Sequence, residues 1–362
     1  MKNKARPFMG FNKLVELASD KHNINTNQDS YINLRELFIS DSYYSLVNGY
    51  QKAFESVPNS EKFSNGISLS QLDLLYFLET NLSATLFQNI LFIEKRLKTA
   101  LQYVVSKHLG TDAKNGYLCL NKTYYVNEQN TIQTLGRFLK IATGHYYVFD
   151  NTTAEFVLKS KNSQVKKGKE HVSKSLKEYR KTGNVPPWIL INDLTFGETL
   201  KWYNSLKNNL QQEIIFLAFP NVIFSQTNRH YDPNNLSFIN NALTMIKDFR
   251  NGMAHGDLLN KINLSLTLSW SHISHLFNLN GIIIKRKFAS GVGKNDLLSI
   301  YLIIFVLSDI RQLQLLVPST ETLINQAHSS LGPSMMKAIN RVFNIPDDFL
   351  DILNKLYGQI VS

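Results

Sequence analysis

Apolar residues recur every three or four positions along much of the chain, which is the spacing of amphipathic helices. The longest such stretch runs from Leu72 to His108, and Gly110 supplies a stop signal after it. A second helix is predicted from 233 to 255, because the pair Asp232-Pro233 is a strong helix start and Gly256 is a natural stop. Both helices are expected to turn an apolar stripe toward a core.

Shorter patterns lie between these helices. Segment 31–56 is consistent with two short helices around a turn at Asn48-Gly49. The following segment, 57–67, is rich in breakers and is predicted to be a linker. Residues 111–130 are irregular, and we expect a loop that includes a short strand or hairpin.

Another strong helix is predicted from Leu297 to Leu315, with one or two further helices before Tyr357. Taken together, the patterns indicate an all-α, mostly helical fold with no internal repeat of about 20 to 50 residues. A boundary near residue 62 would separate an N-terminal helical subdomain, 1–62, from a larger helical domain, 63–362. The larger domain would contain an irregular and basic insertion at 111–187.

Composition indicates a folded chain without a membrane span or a signal peptide. Apolar residues make up 43% of the sequence and aromatic residues 11%, enough to fill a sizeable core. The most apolar run, Leu297 to Leu307, is shorter than the roughly 20 residues that a spanning helix needs. The single cysteine, Cys119, excludes an internal disulfide framework and a multi-thiolate zinc site within one chain. We therefore expect a cytoplasmic protein.

The chain is strongly basic, with 39 Lys and Arg against 28 Asp and Glu and a net charge of +11. Such a charge favours phosphate-bearing partners, nucleic acid first and anionic membranes second. Segment 159–181 alone carries +7, from nine Lys or Arg residues against two Glu. This segment could follow an RNA backbone, or it could be a solvated helix or mobile loop. Its candidate RNA-binding residues are Lys166, Lys167, Lys169, Lys174, Lys177 and Arg180.

The hexapeptide R-N-G-M-A-H, from Arg250 to His255, carries the clearest candidate chemistry. On a helix Asn251 and His255 lie about 40° apart, and Arg250 is long enough to reach the same point. When RNA is cleaved without metal, the 2′-hydroxyl attacks the neighbouring phosphorus, and this needs a proton acceptor, a proton donor and a cation. Histidine and arginine fill these roles. Because one chain supplies one such motif, a site with two imidazoles requires a dimer with the motifs facing across a two-fold axis.

A structural role for the same residues is equally open. Arg250 could pair with Asp248 or Asp257. His255 could stabilise the C-terminus of its own helix, where a positive charge is favoured.

Other motifs give no cofactor or metal site. His272 and His275 could share a helical face, but no nearby cysteine or acid completes a zinc site. The sequence G-V-G-K-N, from Gly291 to Asn295, lacks the spacing and the Ser or Thr of a phosphate-binding loop. Cys119 has no histidine close in sequence and is predicted to be structural.

The hexapeptide, in K-D-F-R-N-G-M-A-H, resembles the R-N-x3-H signature of HEPN-domain ribonucleases. Blocks ahead of it resemble, in order, those of the abortive-infection Abi family of the AbiD and AbiF type. These blocks are R-P-F-M-G-F (6–11), Y-Y-S-L-V-N-G-Y (43–50), I-L-F-I-E-K-R-L-K-T-A-L (90–101) and P-P-W-I-L-I-N-D-L-T-F-G (186–197).

The resemblance implies an all-α HEPN-like helical bundle, a phage-defence or toxin-like activity, and RNA cleavage by paired sites in a homodimer. The catalytic residues would be Arg250, Asn251 and His255. Members of this family also resemble the RNA-guided effectors of type VI CRISPR systems, so a cognate RNA is an expected partner. The sequence departs from the family at Gly256 and Asp257, where relatives often have a second histidine and then a basic residue.

The family also has an Ile-Glu-x2-Leu block, and the glutamate of that block corresponds to Glu94 in this chain. By resemblance, Glu94 could steer Arg250 or tune His255. It could equally be an ordinary acid that pairs with Lys98 four residues later.

The leading hypothesis is a metal-independent endoribonuclease that needs no cofactor and does not bind membranes. The alternative is a non-catalytic RNA-binding or scaffold protein of the same fold. A membrane-surface protein that binds through segment 159–181 is a third, less favoured possibility.

Overall fold

The structure is a computed structural model that describes residues 8–26, 31–64, 66–160, 164–165, 171–219 and 233–361. Helices account for most of these residues and are accompanied by a two-stranded sheet, which confirms the mostly helical prediction.

The first part of the chain contains nine helices and the two strands among the described residues. The helices are α1 (Phe11–Asp20), α2 (Tyr31–Ser40), α3 (Gln51–Phe54), α4 (Leu69–Leu109), α5 (Gln129–Thr143), α6 (Lys174–Lys181), α7 (Pro187–Leu190), α8 (Phe196–Ser205) and α9 (Asn208–Ala218). Single π-helical turns occupy Tyr44–Asn48 and Ala113–Tyr117, a 3₁₀ turn occupies Ile191–Asp193, and the strands are β1 (Tyr147–Asp150) and β2 (Glu155–Leu158).

In the described residues from Pro233 onward, every regular element is helical. The helices are α10 (Pro233–Ala254), α11 (Trp270–Leu276), α12 (Lys285–Ala289), α13 (Leu297–Leu307), α14 (Ile310–Leu331), α15 (Met336–Phe343) and α16 (Phe349–Val361), with 3₁₀ turns at Leu259–Lys261 and Pro333–Met335.

The two longest predicted helices are confirmed as α4 and α10. Gly110 ends α4 with a φ of +78°, a left-handed conformation that glycine adopts without steric cost. Gly256 does the same after α10, with a φ of +77°. The predicted cap residue Asp232 lies outside the described residues.

The single helix predicted from Leu297 to Leu315 is wrong, because the structure divides it into α13 and α14. Asp309 causes the break. Its side chain accepts a hydrogen bond from the backbone N–H of Gln312, and the Gln312 side chain accepts one from the backbone N–H of Asp309. This reciprocal pair is a capping box, which starts a new helix.

The strand or hairpin expected within 111–130 is also misplaced. That segment forms a π-helical turn and contributes a single bridge residue, Tyr125, opposite Leu206. The hairpin is built from β1 and β2 instead, which pair antiparallel with Tyr147 opposite Leu158 and Phe149 opposite Phe156.

The chain divides into two compact units. Unit 1 comprises 1–89, 248–305 and 309–362, and unit 2 comprises 90–247 and 306–308. The boundary predicted near residue 62 lies inside unit 1, and the predicted insertion 111–187 lies inside unit 2.

The core of unit 1 is formed by apolar faces of α4 and α13. The predicted stripe of α4 is fully buried at Leu75, Leu78, Leu82 and Leu86. Helix α13 is buried on every side, as expected for a helix that is apolar all round. Its Tyr301 packs edge-on against Phe349 of α16, with ring centroids 5.3 Å apart.

A carboxylate is buried within this core. Glu79 lies on the apolar stripe of α4 and is 1% exposed. The Tyr50 hydroxyl donates a hydrogen bond of 2.6 Å to its Oε2, and the backbone N–H of Leu259 donates one of 2.6 Å to its Oε1. Burial disfavours the charged form and raises the pKa of Glu79 to about 7, against the lowering effect of these donors and of Lys261.

The core of unit 2 is aromatic, and its Trp and Tyr side chains are hydrogen-bonded. Trp202 stacks on Tyr117 at 5.7 Å and meets Phe138 edge-on at 5.5 Å. The indole N–H donates to the Tyr125 hydroxyl at 3.1 Å, and the Tyr117 hydroxyl donates to the carbonyl of Val185 at 2.6 Å. Buried Tyr and Trp side chains are therefore satisfied, as a stable core requires.

Replacing Glu79 with glutamine is expected to remove a pH-dependent part of the stability. The pKa of this carboxyl is 4.5 in the unfolded chain and about 7 in the folded chain. Protonation therefore stabilises the folded state fully below pH 4.5, and this stabilisation is lost as the pH rises through 7. The free energy of unfolding of wild type relative to Glu79→Gln should fall by about 2.5 kcal/mol between about pH 5 and pH 8, measured by urea unfolding.

An exposed acid provides the control for this experiment. Glu16 on α1 pairs with Lys13 at the surface, and Glu16→Gln should show no such change over the same pH range. If wild type and Glu79→Gln gave parallel stability profiles, the carboxyl of Glu79 would not titrate as described.

Candidate active site

The R-N-G-M-A-H motif forms the last turn of α10 in unit 1. Beyond it, the backbone N–H of Asp257 donates to the carbonyl of Gly252 and that of Gly256 to the carbonyl of Met253, each at 3.0 Å. This pair of bonds is a Schellman motif, in which the residue after the helix cap is left-handed. Since Gly256 fills that position, the helix ends at Ala254 and His255 is its cap residue.

Arg250 and Asn251 are brought together by the structure. Arg250 is half-buried, and its Nη1 donates to Asn251 Oδ1 at 3.4 Å. Its guanidinium carbon lies 5.7 Å from the ring centroid of Phe87 on α4, a cation–π contact that limits the positions of the side chain. The Asn251 side chain is exposed to solvent.

The third residue of the motif, His255, is also exposed. Its backbone N–H donates to the carbonyls of Asn251 and Gly252, at 3.0 and 3.1 Å. Asn251 and His255 are therefore both exposed at this helix end, and Arg250 is bonded to Asn251 beside them. Guanidinium, amide and imidazole groups are suited to binding a phosphate.

Asp248, one of the two acids that could pair with Arg250, is hydrogen-bonded to Ser265. Asp248 accepts hydrogen bonds from the backbone N–H of Ser265, at 3.1 Å, and from the Ser265 hydroxyl. The side chain of the other, Asp257, is exposed.

The loop after the motif packs closely against two glycines. A Cβ on Gly252 would lie 2.8 Å from Cγ1 of Ile262, and a Cβ on Gly49 would lie 2.6 Å from Cδ1 of Leu258. Both distances are shorter than van der Waals contact permits, so Ile262 and Leu258 would have to shift if either glycine carried a side chain. Together with the Glu79 bond to Leu259, this contact holds the loop against unit 1.

The same loop carries a cation, Lys261, that contacts the turn Tyr44–Asn48 and was not among the predicted site residues. Lys261 Nζ donates to the carbonyl of Asn48 at 3.3 Å and lies 5.5 Å from the ring centroid of Tyr44, which is 70% exposed. Glu79 was also missed, although an acid four residues after Leu75 and three before Leu82 signals a buried carboxylate.

The predicted RNA-binding residues are only partly described. Lys174 and Lys177 are exposed on α6. Arg180 is engaged elsewhere, because its Nε donates to the carbonyls of Ile141 (3.1 Å) and Ala142 (3.3 Å) at the end of α5. The structure thus gives Arg180 a helix-capping role. The remaining candidates, Lys166, Lys167 and Lys169, lie outside the described residues.

Glu94 forms the predicted pair with Lys98, at 2.9 Å, and Lys98 also donates to the carbonyl of Leu194 at 2.8 Å. The pair is largely buried rather than on the surface, with Glu94 8% exposed. It belongs to unit 2, whereas the motif belongs to unit 1.

The structure gives no support for a catalytic role of Cys119. Cys119 donates from Sγ to the carbonyl of Lys114 at 2.6 Å, and burial raises the pKa of its thiol, which opposes thiolate chemistry. No cluster of three or more His, Cys, Asp or Glu suited to a metal ion occurs among the described residues. Within the same part of the chain, no helix has both the length and the apolarity to cross a membrane.

Comparison with known proteins gives a family assignment. No curated protein and no solved structure matches the chain. A family model described as Abi-like protein matches residues 38–260, which is more than half of the chain and includes the motif at Arg250–His255. The chain therefore belongs to the Abi-like protein family.

Proposed function

We propose that this protein is a metal-independent endoribonuclease of the HEPN class that acts in phage defence by abortive infection. Family membership supports the role in abortive infection. The observation that carries the nuclease proposal is the R-N-x3-H motif at the end of a helix, where Arg250 is bonded to Asn251 and both Asn251 and His255 are exposed to solvent.

Each motif residue has a role in the proposed reaction. The 2′-hydroxyl of the RNA attacks the adjacent phosphorus, and the bond to the leaving 5′-oxygen breaks. His255 transfers a proton as the acid or base, and Arg250 stabilises the negative charge that develops on the phosphate oxygens. Asn251, which accepts a hydrogen bond from Arg250, orients that guanidinium or the phosphate.

A homodimer completes the proposed site. The reaction uses a proton donor and a proton acceptor at the same time, and each chain carries one R-N-x3-H motif. Two motifs facing across a two-fold axis would supply both imidazoles. The exposure of Asn251 and His255 leaves this helix end accessible to a second copy.

A cognate RNA is the proposed partner. The net charge of +11 and the exposed Lys174 and Lys177 favour a polyanion. The order of the family blocks supports assignment to the AbiD and AbiF type, for which such an RNA is expected.

Substitution of His255 by alanine is expected to reduce RNA cleavage by at least about 100-fold, because a general acid or base contributes 10²- to 10⁴-fold to such reactions. Toxicity of the expressed protein should be lost with it. Since the His255 side chain is exposed, the melting temperature and the oligomeric mass should not change. Cleavage of a labelled RNA, thermal unfolding and light scattering test these three expectations.

A histidine outside the motif serves as the matched control. His108 pairs with Glu213 through Nε2 at 2.7 Å, and His108→Ala should retain cleavage. Undiminished cleavage by His255→Ala would reject the catalytic role.

Products of the wild-type reaction provide an independent test of the mechanism. Attack by the 2′-hydroxyl leaves a 2′,3′-cyclic phosphate on one product and a 5′-hydroxyl on the other. Both ends should form at an unchanged rate in the presence of a chelator, as detected by end-specific labelling. Cleavage that stops with chelator and yields 3′-hydroxyl ends would contradict the mechanism.

The alternative function is a non-catalytic RNA-binding or scaffold protein. The exposed Asp257 favours it, because a carboxylate beside the motif opposes phosphate binding where relatives often have a basic residue. Co-purified RNA that stays intact for hours with wild-type protein would identify this function.

A further inference from the structure

A cleft in unit 2 has no role in the proposed reaction. It lies between one face of helix α5 and the hairpin β1–β2, and its cavity volume is about 430 Å³. This volume is within the range of about 300 to 1,000 Å³ that is usual for small-molecule sites.

Aromatic rings of the hairpin line the cleft. Phe149 and Phe156 meet edge-on, with centroids 5.1 Å apart. A Cβ on Gly136 would lie 3.1 Å from Cε1 of Phe156, so glycine at this point of α5 allows the ring to rest directly on the helix. The hairpin is therefore packed against α5, and the cleft beside it has a preformed wall.

The wall also carries positive charge and an exposed ring. Lys140 Nζ lies 4.3 Å from the ring centroid of Tyr146, and Tyr146 is 41% exposed. Arg137, which forms an ion pair with Glu198, is a second cation of the wall. Of the residues described in the cleft wall, none carries a carboxylate. The cleft thus favours an anionic ligand.

The basic segment 159–181 is attached at the same end of α5. The backbone N–H of Lys159 donates to the carbonyl of Tyr146 at 3.0 Å, and that of Val165 donates to the carbonyl of Gly144 at 2.8 Å. Arg180, near the end of the segment, caps the final carbonyls of α5. The described parts of this basic segment are therefore tied to the C-terminal end of α5 and to Tyr146, next to the cleft.

This combination fits one class of ligand. Unpaired bases stack on exposed aromatic rings, while their phosphates contact Lys and Arg. The amides of Gln129, Gln133 and Asn151 in the wall can donate to and accept from base edges. Bases of a duplex are already stacked and paired, so they could not enter a cleft of this kind.

We propose that the cleft binds unpaired bases of a single-stranded nucleic acid, with Tyr146 as the stacking platform and Lys140 as the phosphate contact. The identification of that nucleic acid as RNA rests on the proposed function, but binding to the cleft does not require cleavage.

The test measures binding to a fluorescein-labelled oligouridine of about 12 nucleotides by anisotropy, in a His255→Ala background that prevents cleavage. Tyr146→Ala should weaken binding about tenfold, and Tyr146→Phe should retain it, since both aromatic rings can stack. Lys140→Gln should reduce the slope of log K against log salt concentration by about 0.7, the value for one phosphate contact on a single strand.

Changes in the oligonucleotide separate stacking from charge. An abasic version keeps every phosphate and should bind about tenfold more weakly than the normal strand, as should the same sequence in a duplex. A DNA version shows whether the cleft accepts any single strand or selects RNA, and tight binding of either one supports the proposal.

Matched controls come from the same unit. Tyr103 on α4 is 58% exposed and Lys122 is exposed, and neither lines the cleft. Tyr103→Ala and Lys122→Gln should bind as the parent does. Equal affinities for Tyr146→Ala and Tyr103→Ala, equal affinities for normal and abasic strands, or no binding to any single strand would each overturn the proposal.

The experiment also separates this proposal from the nuclease. If wild-type protein failed to cleave RNA while Tyr146→Ala still lost affinity, the nuclease would be rejected and the cleft retained. Unchanged thermal unfolding of Tyr146→Ala would show that the loss of affinity does not come from misfolding.

Discussion

The hydrogen bonds to the buried carboxyl of Glu79 fix the loop that follows the R-N-G-M-A-H motif. They join α4 to Tyr50, 29 residues earlier, and to Leu259, 180 residues later. A buried acid is costly unless its oxygens have donors, and here each oxygen has one. The loop after the motif is held by this bond, so the position at which α10 ends is fixed by the core of unit 1 as well as by Gly256.

This arrangement makes the helix end rigid while it stays accessible. Behind the motif, side chains of the loop lie so close to Gly252 and Gly49 that a Cβ at either position would displace them. In front, Asn251 and His255 face solvent. A backbone held in this way loses little conformational entropy when a ligand binds, which is an advantage for a site that must orient a phosphate.

The long helices and the motif were predictable because their signals are local. Periodic apolar residues and the glycines Gly110 and Gly256 gave α4 and α10 to within a few residues. The break at Asp309 was missed because the apolar pattern continues through it, although an acid followed three residues later by Gln312 is a visible capping signal. The hairpin was missed because its two strands are only four residues long each.

Other features could not be read from the sequence at all. The capping of α5 by Arg180 joins residues about 39 positions apart, and nothing near Arg180 distinguishes it from the neighbouring basic residues. The partners of Glu79 are likewise distant in sequence, so its burial could be inferred but its donors could not. Long-range pairings of this kind follow from the tertiary fold rather than from local propensity.

Helix α13 has a consequence for how the protein is made. Its eleven residues are all buried, and Tyr301 is covered in part by Thr320 and Phe349, which the ribosome adds later. Until those segments emerge, a strongly apolar stretch of nascent chain is left uncovered and prone to aggregate. Helix α13 and the segments that cover it all lie beyond residue 260, where the family match ends, so the core of unit 1 extends past the matched region.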